Sequence, residues 1–196
     1  MDNDNKFSPA ESLAIIEGMI NKAKNKFSDG SFLYLLWGWV IFGCSVGHFL
    51  MIRFNLCKEP EMIWLLTWVA VIFQIVYLVK QQKKEKVKTY TDEIINYVWI
   101  CFGFSMMAVT FILGRSESWV MLYSIILMLY GMPTFLSGAI MKFTPLKIGG
   151  IICWVLSIIS TFVSSLYVLL LLALAVVVAW IIPGYLLRAK YKSENI

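Results

Sequence analysis

Residues 148–187 read IGGIICWVLSIISTFVSSLYVLLLLALAVVVAWIIPGYLL, 40 consecutive positions without an Asp, Glu, Lys or Arg. One α-helix of that length would be about 60 Å long, twice the roughly 30 Å hydrocarbon core of a bilayer. The run must therefore fold back. Ser164-Ser165 is the polar pair near its middle. A turn there divides the run into a short span over 148–163 and a longer one over 166–187.

Four more runs of spanning length precede it, over 32–52, 62–79, 94–113 and 119–141. Hydrophobic residues make up 60% of the 196, and the mean hydropathy is +0.76. Soluble domains hold about 45–50% apolar residues, and one protein core of this size has no room for the excess. A bilayer accepts it. The expected fold is all-α: a polytopic membrane bundle of six transmembrane helices over 31–188, with an N-terminal segment 1–30 and a tail 189–196.

Basic residues orient the spans. Lys6, Lys22, Lys24 and Lys26 precede the first, and Lys80, Lys83, Lys84, Lys86 and Lys88 follow the second. Lys142 and Lys147 follow the fourth, and Arg188, Lys190 and Lys192 follow the sixth. Arg53, Lys58 and Arg115 fall on the opposite side. Six crossings put fourteen of the 17 basic residues on one side, which the positive-inside rule makes cytoplasmic; five or seven would spoil the alternation. Phe32, Tyr34, Trp37, Trp39, Tyr97, Trp99 and Tyr185 fall at cytoplasmic ends, Trp64 and Trp119 at outer ends, as an interfacial aromatic belt requires. The net charge of +5 sits beside apolar runs, where it meets anionic lipid headgroups; it does not mark a nucleic-acid surface.

The N-terminal segment opens with Asp2 and Asp4 and lacks the apolar core of a signal peptide. Ser8-Pro9-Ala10-Glu11 is a capping box with proline at the first helical position. Over 8–27, Leu13, Ile16, Met19, Ile20, Ala23 and Phe27 share one helical face, opposite Glu17, Lys22 and Lys26. This predicts an amphipathic helix, lying on the membrane or packed on protein. Ser28-Asp29-Gly30-Ser31 is expected to end it.

Chemistry is sparse. No Asp, Glu, Lys or Arg falls within the core of any expected span, which speaks against ion- or proton-coupled transport. The single histidine, His48, makes neither a catalytic triad nor a metal site, and reads as a polar tip at the outer interface. Cys44, Cys57, Cys101 and Cys153 form no CxxC, so no zinc or redox centre is expected. No catalytic, cofactor-binding or metal residue is assigned, and no cofactor is implied.

The remaining candidates are polar or hinge positions. Gln74 and Asn96 are amides in or beside hydrocarbon, each needing a partner; bonding to each other between the second and third spans would satisfy both. Pro133 kinks the fourth span beside Thr134. Ser157, Ser160, Thr161 and Ser164 recur at helical spacing in the fifth. Gly43-Cys-Ser-Val-Gly47 is a GxxxG pattern that lets helices approach closely. Trp39-Val-Ile-Phe-Gly43 is echoed by Trp99-Ile-Cys-Phe-Gly103, and Tyr77-Leu-Val-Lys80 by Tyr185-Leu-Leu-Arg188. Such echoes would fit three helical hairpins set around one axis. Lys80, Lys83, Lys84, Lys86 and Lys88 form the candidate basic surface.

Phe32-Leu-Tyr-Leu-Leu-Trp-Gly-Trp39, Lys88-Thr-Tyr-Thr-Asp92, Tyr130-Gly-Met-Pro-Thr134 with Gly149-Gly-Ile-Ile-Cys-Trp154, and Ile182-Pro-Gly-Tyr-Leu-Leu-Arg188 together resemble a family of small multi-spanning membrane proteins of Bacteroidota. The resemblance covers most of the chain from about residue 10. It implies the inner membrane of a Gram-negative bacterium and no activity or site residue. The expected role is non-enzymatic: structural, sensory or regulatory, through the cytoplasmic face. Its partners would be the bilayer, anionic headgroups and a cytoplasmic protein. The alternative is a small-solute transporter or channel, as a homo-oligomer.

Overall fold

The computed structural model describes the backbone of residues 9–82, 90–115 and 119–193, and the side chains of residues 31–80, 93–115 and 121–190. The described elements are helices: α1 (Pro9–Arg53), a 3-10 turn (Pro60–Trp64), α2 (Leu65–Gln82), α3 (Tyr90–Arg115), α4 (Trp119–Ile140), α5 (Thr144–Ser160), α6 (Ser165–Val176), a π turn (Val177–Ile181) and α7 (Ile182–Ser193). Five stretches are long and apolar enough to cross a membrane: Ser31–Arg53, Pro60–Lys80, Glu93–Arg115, Met121–Ile140 and Ser165–Lys190. Thr144–Ser160 is apolar but shorter, at 17 residues.

The uncharged 148–187 run breaks where α5 ends at Ser160 and α6 begins at Ser165. The N–H groups of Thr161, Phe162 and Val163 each reach back three residues to a carbonyl, which tightens the last turn and reverses the chain. α6, the π turn and α7 then continue as one rod. The π turn precedes Pro183, whose ring would clash with the carbonyl four residues back in a regular helix; widening the turn relieves that clash. Pro183 itself is buried.

One expected boundary is absent. α1 runs unbroken for 45 residues from Pro9 to Arg53, so Ser28–Ser31 is not a break and the N-terminal helix is no separate element. Gly costs about 1 kcal/mol in a helix, and Ser or Asp less. Elongation of a nucleated helix absorbs such penalties, and no proline intervenes. The amphipathic face proposed for 8–27 lies outside the described side chains.

The core forms where α1 and the α6–α7 rod pack against each other and against α4 and α5. α2 packs on α1 and the 3-10 turn, and α3 on α4; the backbones of α2 and α3 nowhere come close to each other among the described residues. Three equivalent hairpins around an axis are therefore not the arrangement. None of the apolar window of Glu93–Arg115 is buried, and only 6% of that of Pro60–Lys80. Helices so apolar on every side need a hydrocarbon solvent.

Glycines allow the tightest contacts. A Cβ on Gly150 would stand 2.8 Å from the Gly131 carbonyl oxygen, and one on Gly149 would stand 2.7 Å from the Ala179 Cα. α4, α5 and the π turn thus meet backbone to backbone. Two helices end with a non-glycine residue in the left-handed region, Asn55 (φ 51°) after α1 and Lys142 (φ 52°) after α4. In each, the next N–H reaches the carbonyl five residues back, Leu56 to Met51 (3.1 Å) and Phe143 to Gly138 (2.8 Å). These are Schellman caps.

Candidate functional site

Polar atoms between helices form two groups. Thr134, on α4 just after Pro133, is fully buried. Its hydroxyl donates to the Tyr130 carbonyl (2.7 Å) and accepts the Trp180 indole N–H from the π turn (2.9 Å). The Tyr130 and Trp180 rings lie 4.6 Å apart. Trp99 of α3 packs on Trp180 at 6.2 Å and edge-on to Tyr34 of α1 at 5.8 Å. One hydroxyl and four rings therefore join α1, α3, α4 and the rod. Ser137, one turn along α4, is buried with its hydroxyl beside that of Tyr34.

The second group lies toward the Arg53 end of α1. His48 is only 3% exposed. Its Nδ1 accepts the Trp64 indole N–H from the 3-10 turn (3.0 Å), and the Tyr123 hydroxyl of α4 stands 3.3 Å away. An indole nitrogen only donates, so Nδ1 is unprotonated and the neutral ring carries its proton on Nε2. Nε2 and the Ser45 hydroxyl are both buried without partners among the described residues. His48 is thus no interfacial tip: it clamps the 3-10 turn and α4 onto α1. Ser157 donates to the Ser124 carbonyl (2.8 Å) and Ser160 to the Ser124 hydroxyl (2.7 Å), stitching α5 to α4.

Gln74 bonds the Trp37 indole N–H of α1, not Asn96, because α2 and α3 lie apart; Asn96 is exposed on α3. Pro133 is buried inside an unbroken α4, and Thr134, Ser157 and Ser160 are bonded as above. Ser164 is the residue before α6 and makes no side-chain cap bond. Gly47 seats Ile63, whereas Gly43 faces open space, so the GxxxG pair is not one packing seam. Lys80 is exposed at the end of α2; Lys83, Lys84, Lys86 and Lys88 lie outside the described residues. The partners that sequence reasoning missed are Trp37, Ser124, Tyr123 and Trp180. Their common signal is a single polar atom set in an apolar run, which must find a partner in hydrocarbon.

Chemically, the arrangement ties helices together. No cluster of three or more His, Cys, Asp or Glu occurs among the described residues. No family model, curated protein or solved structure matches the chain.

Proposed function

We propose that this is a six-span inner-membrane protein with both termini in the cytoplasm and no enzymatic activity. Its role is sensory or regulatory: it holds α1 residues 9–30 and the basic surface around Lys80–Lys88 toward a cytoplasmic protein partner. α5 serves as the short fifth span, and anionic headgroups flank the basic side.

One observation carries this reading. The helix that leaves the membrane domain is the same α1 whose Tyr34, Ile41 and Cys44 are buried in the core. An unbroken helix transmits displacement, so a partner on residues 9–30 is mechanically coupled to the bundle's centre. The side chains that would line a solute path favour the same reading over transport: Gln74, Thr134, Ser157 and Ser160 are all engaged in internal hydrogen bonds.

The test pairs two experiments. Photocrosslinking from positions in 9–30 in intact cells should capture one cytoplasmic protein, and deletion of 2–30 should abolish its co-purification. Purified protein in liposomes should pass no small solute. Crosslinks to lipid alone, or saturable solute uptake, would overturn the proposal and favour the transporter.

A further inference from the structure

α1 touches the 3-10 turn at one level and α2 at another, and a gap lies between the two. Toward the Arg53 end, Ile63 seats against Gly47, and the Cys44 thiol stands 3.5 Å from the Ile63 carbonyl. Toward the Lys80 end, the Phe32 ring lies 6.2 Å from Phe73 and 4.9 Å from Tyr77, and Trp37 bonds Gln74. Between these contacts is an open slot of about 370 Å³, lined by Leu36, Trp39, Val40, Gly43, Val69 and Phe73. A Cβ built on Gly43 meets nothing within 4 Å, and Trp39 is 51% exposed. Among the described residues, no side chain fills the slot.

We propose that this slot seats one acyl chain of an anionic phospholipid, with its phosphate held at Lys80. Gly43 lies near the middle of the Ser31–Arg53 stretch, so the slot opens at hydrocarbon depth, where a water-borne ligand does not reach. An alkyl chain is much narrower than a helix, which is about 10–12 Å across, and suits a slot of about 370 Å³. Charge fixes the class of lipid. Leu66, Val69, Phe73, Tyr77 and Lys80 recur at three- and four-residue spacing on α2, so Lys80 continues the face that lines the slot. It lies seven residues beyond Phe73, about 10 Å along the helix and past the Phe32–Tyr77 contact, so a lipid seated from the open side of the slot passes over those rings to bring its headgroup to Lys80. Lysine beside the membrane surface attracts anionic lipid. The inference rests on α1 and α2 being membrane spans and is independent of the cytoplasmic-partner reading.

The test is native mass spectrometry of the full chain, delipidated in mild detergent and offered equal phosphatidylglycerol and phosphatidylcholine in mixed micelles. The wild type should retain one phosphatidylglycerol in preference to phosphatidylcholine. Gly43→Leu adds bulk to the slot at a position whose Cβ meets nothing within 4 Å and should lower retention at least tenfold, as should Val69→Trp from the other wall. Gly103→Leu is the control: that glycine on α3 also faces open space but does not line this slot, and retention should be unchanged. Lys80→Gln should erase the headgroup preference. The proposal falls if the wild type retains no lipid, if it retains both lipids equally, or if Gly43→Leu and Gly103→Leu behave alike. It also falls if the wild type instead forms a concentration-dependent dimer that Gly43→Leu abolishes.

Discussion

Thr134 shows what a single polar side chain does inside this bundle. A threonine on a helix in hydrocarbon can satisfy itself by bonding the carbonyl four residues back, and Thr134 does so with Tyr130. Its lone pairs then remain for Trp180, whose indole N–H has no water to turn to. Thr134→Val keeps the shape and deletes the acceptor. It should lower unfolding stability in detergent by about 1–2 kcal/mol, the range for a buried donor left unpaired and for interhelical bonds in membranes. Gly150 makes the opposite point. An added methyl would press on the Gly131 oxygen and the Phe135 nitrogen, each 2.8 Å away, and backbone atoms cannot swing aside. Gly150→Ala should therefore destabilise by about 1–3 kcal/mol, as overpacked cores do, whereas Gly43→Ala should not; thermal unfolding followed by circular dichroism distinguishes them. In the sequence both are glycines in apolar runs. Gly43 even sits in the better-known motif, yet Gly150 is the one at which two backbones meet.

At the scale of the element, α1 sets how far the bundle reaches. As a continuous helix, it places positions 16 and 36 about 30 Å apart at 1.5 Å per residue. Double electron–electron resonance between spin labels at those positions should give one narrow distance near that value. Gly30→Pro should broaden and shorten it, because proline removes a helical bond and clashes with the preceding turn. A broad distribution in the parent would show that Ser28–Ser31 is a hinge after all. The boundaries legible in the sequence are those with a physical signature. The reversal between Ser160 and Ser165 stands out because polar residues interrupt a run too long for one crossing. The π turn was not legible: Pro183 announces a disturbance, but whether a helix kinks, ends or widens depends on what packs against it, here Gly149 and Thr134. The pairing of Gln74 with Trp37 was equally hidden. Adjacent apolar runs invite the assumption that neighbouring spans touch, but nothing in α2 or α3 encodes which side each turns to its neighbours.

At the scale of the molecule, the distribution of burial is the deciding property. α4 and the α6–α7 rod bury about half of their apolar windows, at 44% and 50%, while α3 buries none of its own. Exposed rings and methyls along α2 and α3, including Phe104, Phe111, Trp68 and Ile72, would drive aggregation in water and are at home in lipid. The basic side chains Lys80, Lys142, Arg188 and Lys190 gather at one end of the bundle, and Arg53, Lys58 and Arg115 at the other. Native Cys57 is exposed in the loop after α1, at the second of these ends. The central claim is that hydrocarbon surrounds these helices and leaves their lysine-rich ends on the cytoplasmic side. Labelling of intact cells with a membrane-impermeant maleimide tests it most directly, using the native chain and a Cys57→Ser, Lys142→Cys variant. The native protein should label through Cys57, and the variant only after the membrane is permeabilised. Equal labelling of both in intact cells, or a chain recovered in the soluble fraction, would contradict the account.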